Sequence, residues 1–292
     1  MVSFPEFGQK RMTPSKREIE IPKLQFVAAG DLVLHEQHDA SRSNPLAERL
    51  RRDHVLKNPP VVAPINGEGR FVVLDGANRS TALAQMGVPH VVVQVVDYDD
   101  PDLVLDTWYH LVAEVSNSDL VSTLDNISGI AFDRVPLMRA RAALARRDAL
   151  AYVVCPDGVV LMAHGEGDLH VRAGLLNALV DAYRYRGRIY RVNTDQLDQH
   201  LPYYQNVAAL IVFPRYSPAE IIELARNGAR LPAGITRHVI PRRALRLNIP
   251  LEKLTEDKTL EEKNNWLLAW MRHKLANKEI RYYAESTWLF DE

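Results

Sequence analysis

The stretch FVVLDGANRSTALAQMGV, residues 71–88, constrains this chain more than any other. Phe71 to Leu74 are β-branched, aromatic or apolar, which predicts a strand. RSTALAQMG predicts a helix closed by Gly87 at the position where a left-handed residue commonly ends one. A strand that passes through Asp75-Gly76 straight into a helix exposes first-turn N–H groups that have no intrahelical acceptor. Those groups and the helix dipole favour an anion. Gly76 lets backbone come close to a ligand. Arg79 offers a forked donor to a phosphate or carboxylate, and Asp75 can hold Mg²⁺ through oxygen. A plainer reading has Asp75 capping the helix and Arg79 pairing with a surface acid. On these residues alone both readings stand.

The flanking sequence gives the turn a setting. From Ile21 to about Val115 strands and helices alternate. LQFVAAGDLVLHE predicts a strand and a turn. PLAERLRRDHVL predicts an amphipathic helix with Leu46, Leu50 and Val55 on its apolar side. PPVVAPI and HVVVQVVDY predict strands, and DLVLDTWYHLVAEV is helical or extended. SNSDLVSTLDNIS, residues 116–128, is polar and marks a boundary. Beyond it a helix rich in Arg and Ala is followed by AYVVC and GVVLMA, two strands joined by the turn Pro156-Asp157-Gly158. A helix (GLLNALVDAYRYRG), two strands (RIYRV, VAALIVFP) and a helix begun by Ser217-Pro218 come next. Ser217 as cap, Pro218 at the first position and Glu220 three residues on form a strong helix start. TLEEKNNWLLAWMRHKLANK predicts a final amphipathic helix carrying Trp266 and Trp270, suited to packing or to forming a homodimer.

These patterns predict an α/β (α+β) chain. The expected division is a polar arm at 1–20, an α/β domain at 21–115, a mixed α/β domain at 116–250 and a helical segment at 251–292. The net charge is −1, which gives no overall pull toward DNA or an acidic membrane. Two basic stretches, 139–147 and 183–191, are short and balanced by acids elsewhere, so they read as solvated faces. Cys155 is the single cysteine, and one thiol makes no internal disulfide. The N-terminus has no signal-peptide core, and no run approaches the roughly 18 apolar residues of a membrane span. A cytoplasmic protein is expected.

Several chemistries are excluded. There is no GxxxxGK[ST] phosphate loop and no GxGxxG after a strand. Residues 35–39, His-Glu-Gln-His-Asp, come close to the zinc-protease HExxH, but Asp39 occupies the fifth position and the second ligand is out of register.

LDGANRSTALAQMGVPHVVVQVVDY resembles the core of the ParB/sulfiredoxin superfamily: a strand, a G-x-x-R turn, and a helix ending near glycine. LVLHEQHD…LAERLRRDHVLKNPPVV resembles that superfamily's first motif, and the likeness covers roughly residues 20–115. Sulfiredoxins need a cysteine inside the turn, where this chain has Ala77. Chromosome-partitioning ParB proteins carry a more arginine-rich turn and a helix-turn-helix domain next, whereas this chain continues as mixed α/β. The chain looks most like the ParB-like free L-serine kinases. His35-Glu36, Lys57-Asn58-Pro59-Pro60, Asp75 to Arg79, the run Thr107 to His110, and GITRHVIP at 234–241 carry that likeness.

The resemblance implies a kinase that transfers phosphate from ATP or ADP, with Mg²⁺, to the hydroxyl of free L-serine. Glu36 then stands where the kinases place their base, and His35 is structural. Gly76, Ala77, Asn78 and Arg79 cradle the phosphates, Lys57 touches one, and Asp75 orients Mg²⁺. Trp108 and His110 line the serine pocket, and Thr236 and Arg237 bind the serine carboxylate. Arg242, Arg243 and Arg246 read as a solvated helix face. The second reading is a ParB-like regulator that binds nucleotide as a switch and DNA through its basic stretches. Glu36 separates the two, because a regulator does not need it as a base.

Overall fold

The computed structural model describes residues 21–38 and 40–283. The expected polar arm at 1–20 lies outside the described residues. Two sheets organise the rest. The first has five strands in the spatial order Leu24–Ala28, His90–Val95, Val61–Ile65, Arg70–Asp75 and Leu32–Leu34. His90–Val95 lies inside the sheet, antiparallel to Leu24–Ala28 and parallel to Val61–Ile65. Its five residues from Val91 to Val95 are all buried, as a strand covered on both faces requires.

The second sheet has six strands, each antiparallel to its neighbours: Arg188–Val192, Tyr109–Ala113, Val207–Val212, Ala151–Val154, Val160–His164 and Ala131–Arg134. The Pro156-Asp157-Gly158 turn joins two of these strands as its residue types predict. The helices Asn117–Asp125, Leu169–Tyr183 and Pro218–Arg226 cover one face. The helix Leu137–Ala145 lies on the other.

One core links the sheets. Val72 and Leu74 of the first pack with Ile211, Phe213 and Leu231 of the second region. A separate core lies on the far side of the five-stranded sheet, where Leu251, Leu254 and Leu267 from the chain's end pack against Phe26, Val91 and Val93. The last helix, Leu260–Ala276, starts with a capping box between Thr259 and Glu262. Its Asn264 lies beside the edge strand Leu24–Ala28. The Asn264 carboxamide accepts from Phe26 N at 2.8 Å and donates to Phe26 O at 3.0 Å. One side chain thus satisfies both backbone groups of Phe26, at the middle of a strand edge that would otherwise present them to another chain.

One local expectation changes and another resolves to its extended alternative. SNSDLVSTLDNIS holds a helix, Asn117–Asp125, because Ser116 caps it by accepting from Asp119 N. Its buried side rests on only two leucines, Leu120 and Leu124, too few for a clear periodic signal. DLVLDTWYHLVAEV forms two strands, Val104–Thr107 and Tyr109–Ala113, that enter different sheets. The first pairs with Thr236–Val239, with Thr107 opposite Thr236. No helix among the described residues is long and apolar enough to cross a membrane.

Candidate active site

Two neighbouring strands deliver the central residues. Leu32–Leu34 and Arg70–Asp75 run parallel, with Leu34 opposite Val73. One chain leaves the sheet as His35-Glu36, the other as Asp75-Gly76. In open sheets ligands bind beyond the carboxyl ends of parallel strands. A cleft of about 660 Å³ opens there, with Glu36 and the whole Asp75 to Arg79 turn on its walls.

The turn is built as its residue types predict. Gly76 precedes the helix Ala77–Gln85 with φ of 98°, a backbone conformation that L side chains rarely adopt. A Cβ at Gly76 would also stand 3.1 Å from Pro60 Cα. Both constraints point to glycine. Arg79 uses its fork to tie the turn together. Its Nη1 donates to Asn58 O at 3.0 Å and its Nη2 to Asp75 Oδ2 at 2.6 Å. Arg243 Nη2 donates to the same Asp75 oxygen at 2.5 Å. Lys57 reaches the cleft and lies 3.6 Å from Asp53.

Glu36 is held from the other side. Leu231 N donates to His35 O and Gln37 N to Leu231 O, each at 2.8 Å, so the segment pairs with a distant loop. Glu36 Oε2 accepts from Gly234 N and from the Thr236 hydroxyl, both at 3.0 Å. A solvated loop acid would have neither partner.

Behind it, His35 is buried, with Nδ1 2.7 Å from Val73 O and Nε2 2.8 Å from Thr236 Oγ1. A carbonyl only accepts, so Nδ1 carries the proton. Burial lowers the ring's pKa, against the pull of Glu36 and the Val73 carbonyl, and keeps it neutral. His35 Nε2 is then an acceptor. Thr236 has one hydroxyl proton and two acceptors within reach, Glu36 and His35. It donates to one of them at a time.

The remaining expected residues sit around the cleft rather than on its walls. Trp108 is half-buried, its backbone N–H donating to Ile235 O at 2.8 Å. The Arg237 guanidinium stacks over its ring at 4.4 Å and lies 3.8 Å from Asp106. His110 is buried, with Nδ1 2.8 Å from the Tyr183 hydroxyl and its ring edge-on to Phe213. Burial first, then the charge of Arg191, push its pKa down to about 3, against a contribution from the Gly234 backbone. His110 therefore packs behind the Gly234 loop as a neutral ring.

Two arginines that read from sequence as solvated surface, Arg191 and Arg243, line the cleft. The segment holding Arg242, Arg243 and Arg246 is not a helix. Arg242 pairs with Asp100 at 2.7 Å, Arg246 N donates to Asn58 Oδ1 at 2.8 Å, and Arg243 lines the cleft on Asp75. Arg191 lines the cleft too, although it belongs to a basic stretch whose other members behave as a wet face. Arg184 pairs with Asp181 and Arg188 with Glu114 at the surface. By residue type Arg191 does not differ from Arg188, although strand alternation sets the two on opposite faces. Strand alternation separates Arg191 from Tyr190, but choosing the cleft side requires the sheet order.

Among the described residues, no group of three or more His, Cys, Asp or Glu is gathered to hold a metal ion. Asp75 offers a single carboxylate on the cleft wall. That suits Mg²⁺ bound chiefly by phosphate oxygens and water, which commonly takes only one or two protein carboxylates.

No protein-family model matches the chain. Among curated proteins, it is 25% identical over 271 residues to the ATP-dependent L-serine kinase SbnI of Staphylococcus aureus, covering 92% of this chain and 97% of that one. It is 24% identical over 230 residues to an ATP-dependent L-serine kinase of Staphylothermus marinus, covering 76% and 88%. It is 21% identical over 236 residues to the ADP-dependent L-serine kinase SerK of Thermococcus kodakarensis, covering 78% and 92%. Among solved structures, C-terminally truncated SbnI matches with a TM-score of 0.67 at 22% identity, covering 88% of this chain and 97% of that one. A free serine kinase in complex with AMP matches with a TM-score of 0.70 at 18% identity, covering 80% and 95%. At these identities the structural likeness is one of fold.

Proposed function

We propose that this chain is a free L-serine kinase, transferring a phosphoryl group from ATP or ADP to the serine hydroxyl and releasing O-phospho-L-serine. One observation carries the reading: Glu36 and the Asp75 to Arg79 turn share one cleft. Phosphoryl transfer to an alcohol needs a nucleotide anchor and a base that meet at one point. Relatives that match most of the chain and bear serine-kinase names support the same reading.

The anchor is the turn. Gly76, Ala77 and Asn78 present the start of a helix to the phosphates, and Lys57 and Arg79 add charge at that end. Asp75 would hold Mg²⁺ on the phosphates, and the ion when bound neutralises charge on them. Arg79 and Arg243 fix the orientation of Asp75. The base is Glu36. It takes the proton of the serine hydroxyl as that oxygen forms its bond to phosphorus and the bond to the departing nucleotide breaks. Glu36 then holds a proton and no longer needs the Thr236 hydrogen bond. Thr236 turns its hydroxyl to His35 Nε2 and can accept from the Glu36 acid. Thr236 and His35 are thus positioning residues, and a neutral His35 is what makes the turn available. Trp108 and Arg237 brace the Thr236 strand, and His110 supports the Gly234 loop.

The same reading places residues 21–115 in the ParB/sulfiredoxin superfamily, on the Asp75 to Arg79 turn and the Pro59-Pro60-Val61-Val62 strand entry. Residues 116–250 complete the serine side, and Leu251, Leu254 and Leu267 of the segment that follows brace the first sheet.

The test is turnover. The purified chain is mixed with L-serine, Mg²⁺ and either ATP or ADP, and O-phosphoserine is detected by mass spectrometry. Wild type forms product, and Glu36→Gln loses about 10²- to 10⁴-fold in kcat, the usual worth of a positioned base. No product with either donor, while nucleotide still binds, would point to the regulator. An active Glu36→Gln would move the base elsewhere.

A further inference from the structure

The kinase reading leaves one part of the substrate without a receptor. In L-serine the reacting oxygen is on the β-carbon and the carboxylate hangs from the adjacent α-carbon. A base and a carboxylate receptor therefore have to stand within a few bond lengths of each other. Arg237, expected from sequence to take this role, lies over Trp108 and beside Asp106, off the cleft wall. Arg79 and Arg243 converge on Asp75, at the phosphate end.

Arg191 stands at the other end. It comes from the edge strand Arg188–Val192 of the six-stranded sheet and reaches the cleft wall. Its guanidinium lies against the Cα of Gly234, so closely that a Cβ there would fall 1.8 Å from Nη2 and 2.1 Å from Cζ. Gly234 is also the residue whose N–H donates to Glu36. Its φ of 74° suits glycine, so one residue both leaves space for the guanidinium and holds the base. The geometry thus sets a planar, permanently charged fork beside the carboxylate that takes the serine proton. A fork of this kind suits bidentate capture of a carboxylate.

We propose that Arg191 is the substrate-binding residue for the carboxylate of the amino-acid acceptor, and that Gly234 is glycine to admit it. The proposal rests on the kinase reading and deepens it. It makes Arg191 the means by which the enzyme tells an amino acid from an amino alcohol. It also explains why the acceptor side needs the second sheet, since the phosphate turn belongs wholly to the first.

The experiment compares wild type, Arg191→Met and Arg191→Lys, with L-serine and with 2-aminoethanol as acceptor and nucleotide varied separately. Far-UV circular dichroism and nucleotide binding check that each variant is folded. Arg191→Met is expected to raise KM for L-serine about 10- to 100-fold, as loss of a charged hydrogen-bonded pair does. The nucleotide KM stays unchanged, kcat stays within a few-fold, and the preference for L-serine over 2-aminoethanol collapses. Arg191→Lys recovers part of the loss and stands in if the methionine variant does not fold. Loss of kcat with an unchanged serine KM overturns the assignment, as does a nucleotide KM rising in step or an equal loss on both acceptors. Failure of wild type to phosphorylate L-serine removes the kinase reading and the assignment together. An active wild type with an unimpaired Arg191→Met removes the assignment alone.

Discussion

Replacing His110 by glutamine should flatten the acid limb of this protein's stability curve. His110 is fully buried, and burial with the nearby Arg191 charge holds its pKa near 3 in the fold, against an ordinary value of 6.5. The sign follows from the depressed value. Below pH 6.5 the unfolded chain binds a proton at this position and the folded chain does not, so stability falls as pH falls. Each pH unit costs about 1.4 kcal/mol, and by pH 5 the loss from this one ring is about 2 kcal/mol. His35 and His238 are also shifted down by burial and push the same way. Total stabilities are only about 5–15 kcal/mol, so a loss of this size from His110 alone is readable between pH 6.5 and 5. The assay is urea unfolding at half-unit steps from pH 7.5 to 5, for wild type and His110→Gln. The variant starts lower, by about 1–3 kcal/mol, because its Tyr183 contact is disturbed. Its slope against pH should be shallower by about one proton. Equal slopes would show that His110 is protonated in the fold or exposed in it, and the account of the Gly234 loop resting on a neutral ring would fall.

Two further predictions test the scaffold of the site. Gly76→Ala should cost about 1–3 kcal/mol from the left-handed backbone, and more from crowding against Pro60. Gly87→Ala, at φ of 71° with open space around it, carries the backbone term alone. Matching denaturant midpoints for the two would remove the Pro60 argument, and nucleotide titration should show weakened binding only for Gly76→Ala. Asn264→Ala should cost about 1–3 kcal/mol, because Phe26 N and O lose their partner. Light scattering should report more self-association from the uncovered strand edge, and an unchanged variant would show that water replaces the carboxamide.

Much of the phosphate side was legible because its parts are contiguous. A strand, a glycine with its special backbone and a helix start occupy residues 71–88, and each announces itself by residue type within a few positions. The caps at Ser217 and the turn at Pro156-Asp157-Gly158 are local in the same way. Glu36 was reachable only through its likeness to a known motif, since an acid after a short strand has no local mark of function. Arg191 and Arg243 had no mark of either kind. Among so many arginines, residue type alone does not tell a cleft wall from a wet surface.

The sequence by itself determined the elements and the anion turn, because strand and helix periodicity, caps and glycine backbone are properties of neighbouring residues. Tertiary structure decided the rest. It set Leu32–Leu34 beside Arg70–Asp75 so that both chain exits open on one cleft. It brought Thr236 across some 200 positions to Glu36 and His35. It aimed Arg191, from an edge strand of the second sheet, at the glycine that holds the base. These pairings are fixed by which strands are neighbours and which faces share a core. Burial of apolar surface drives that choice, and burial is indifferent to the chemistry of the side chains it carries into the cleft.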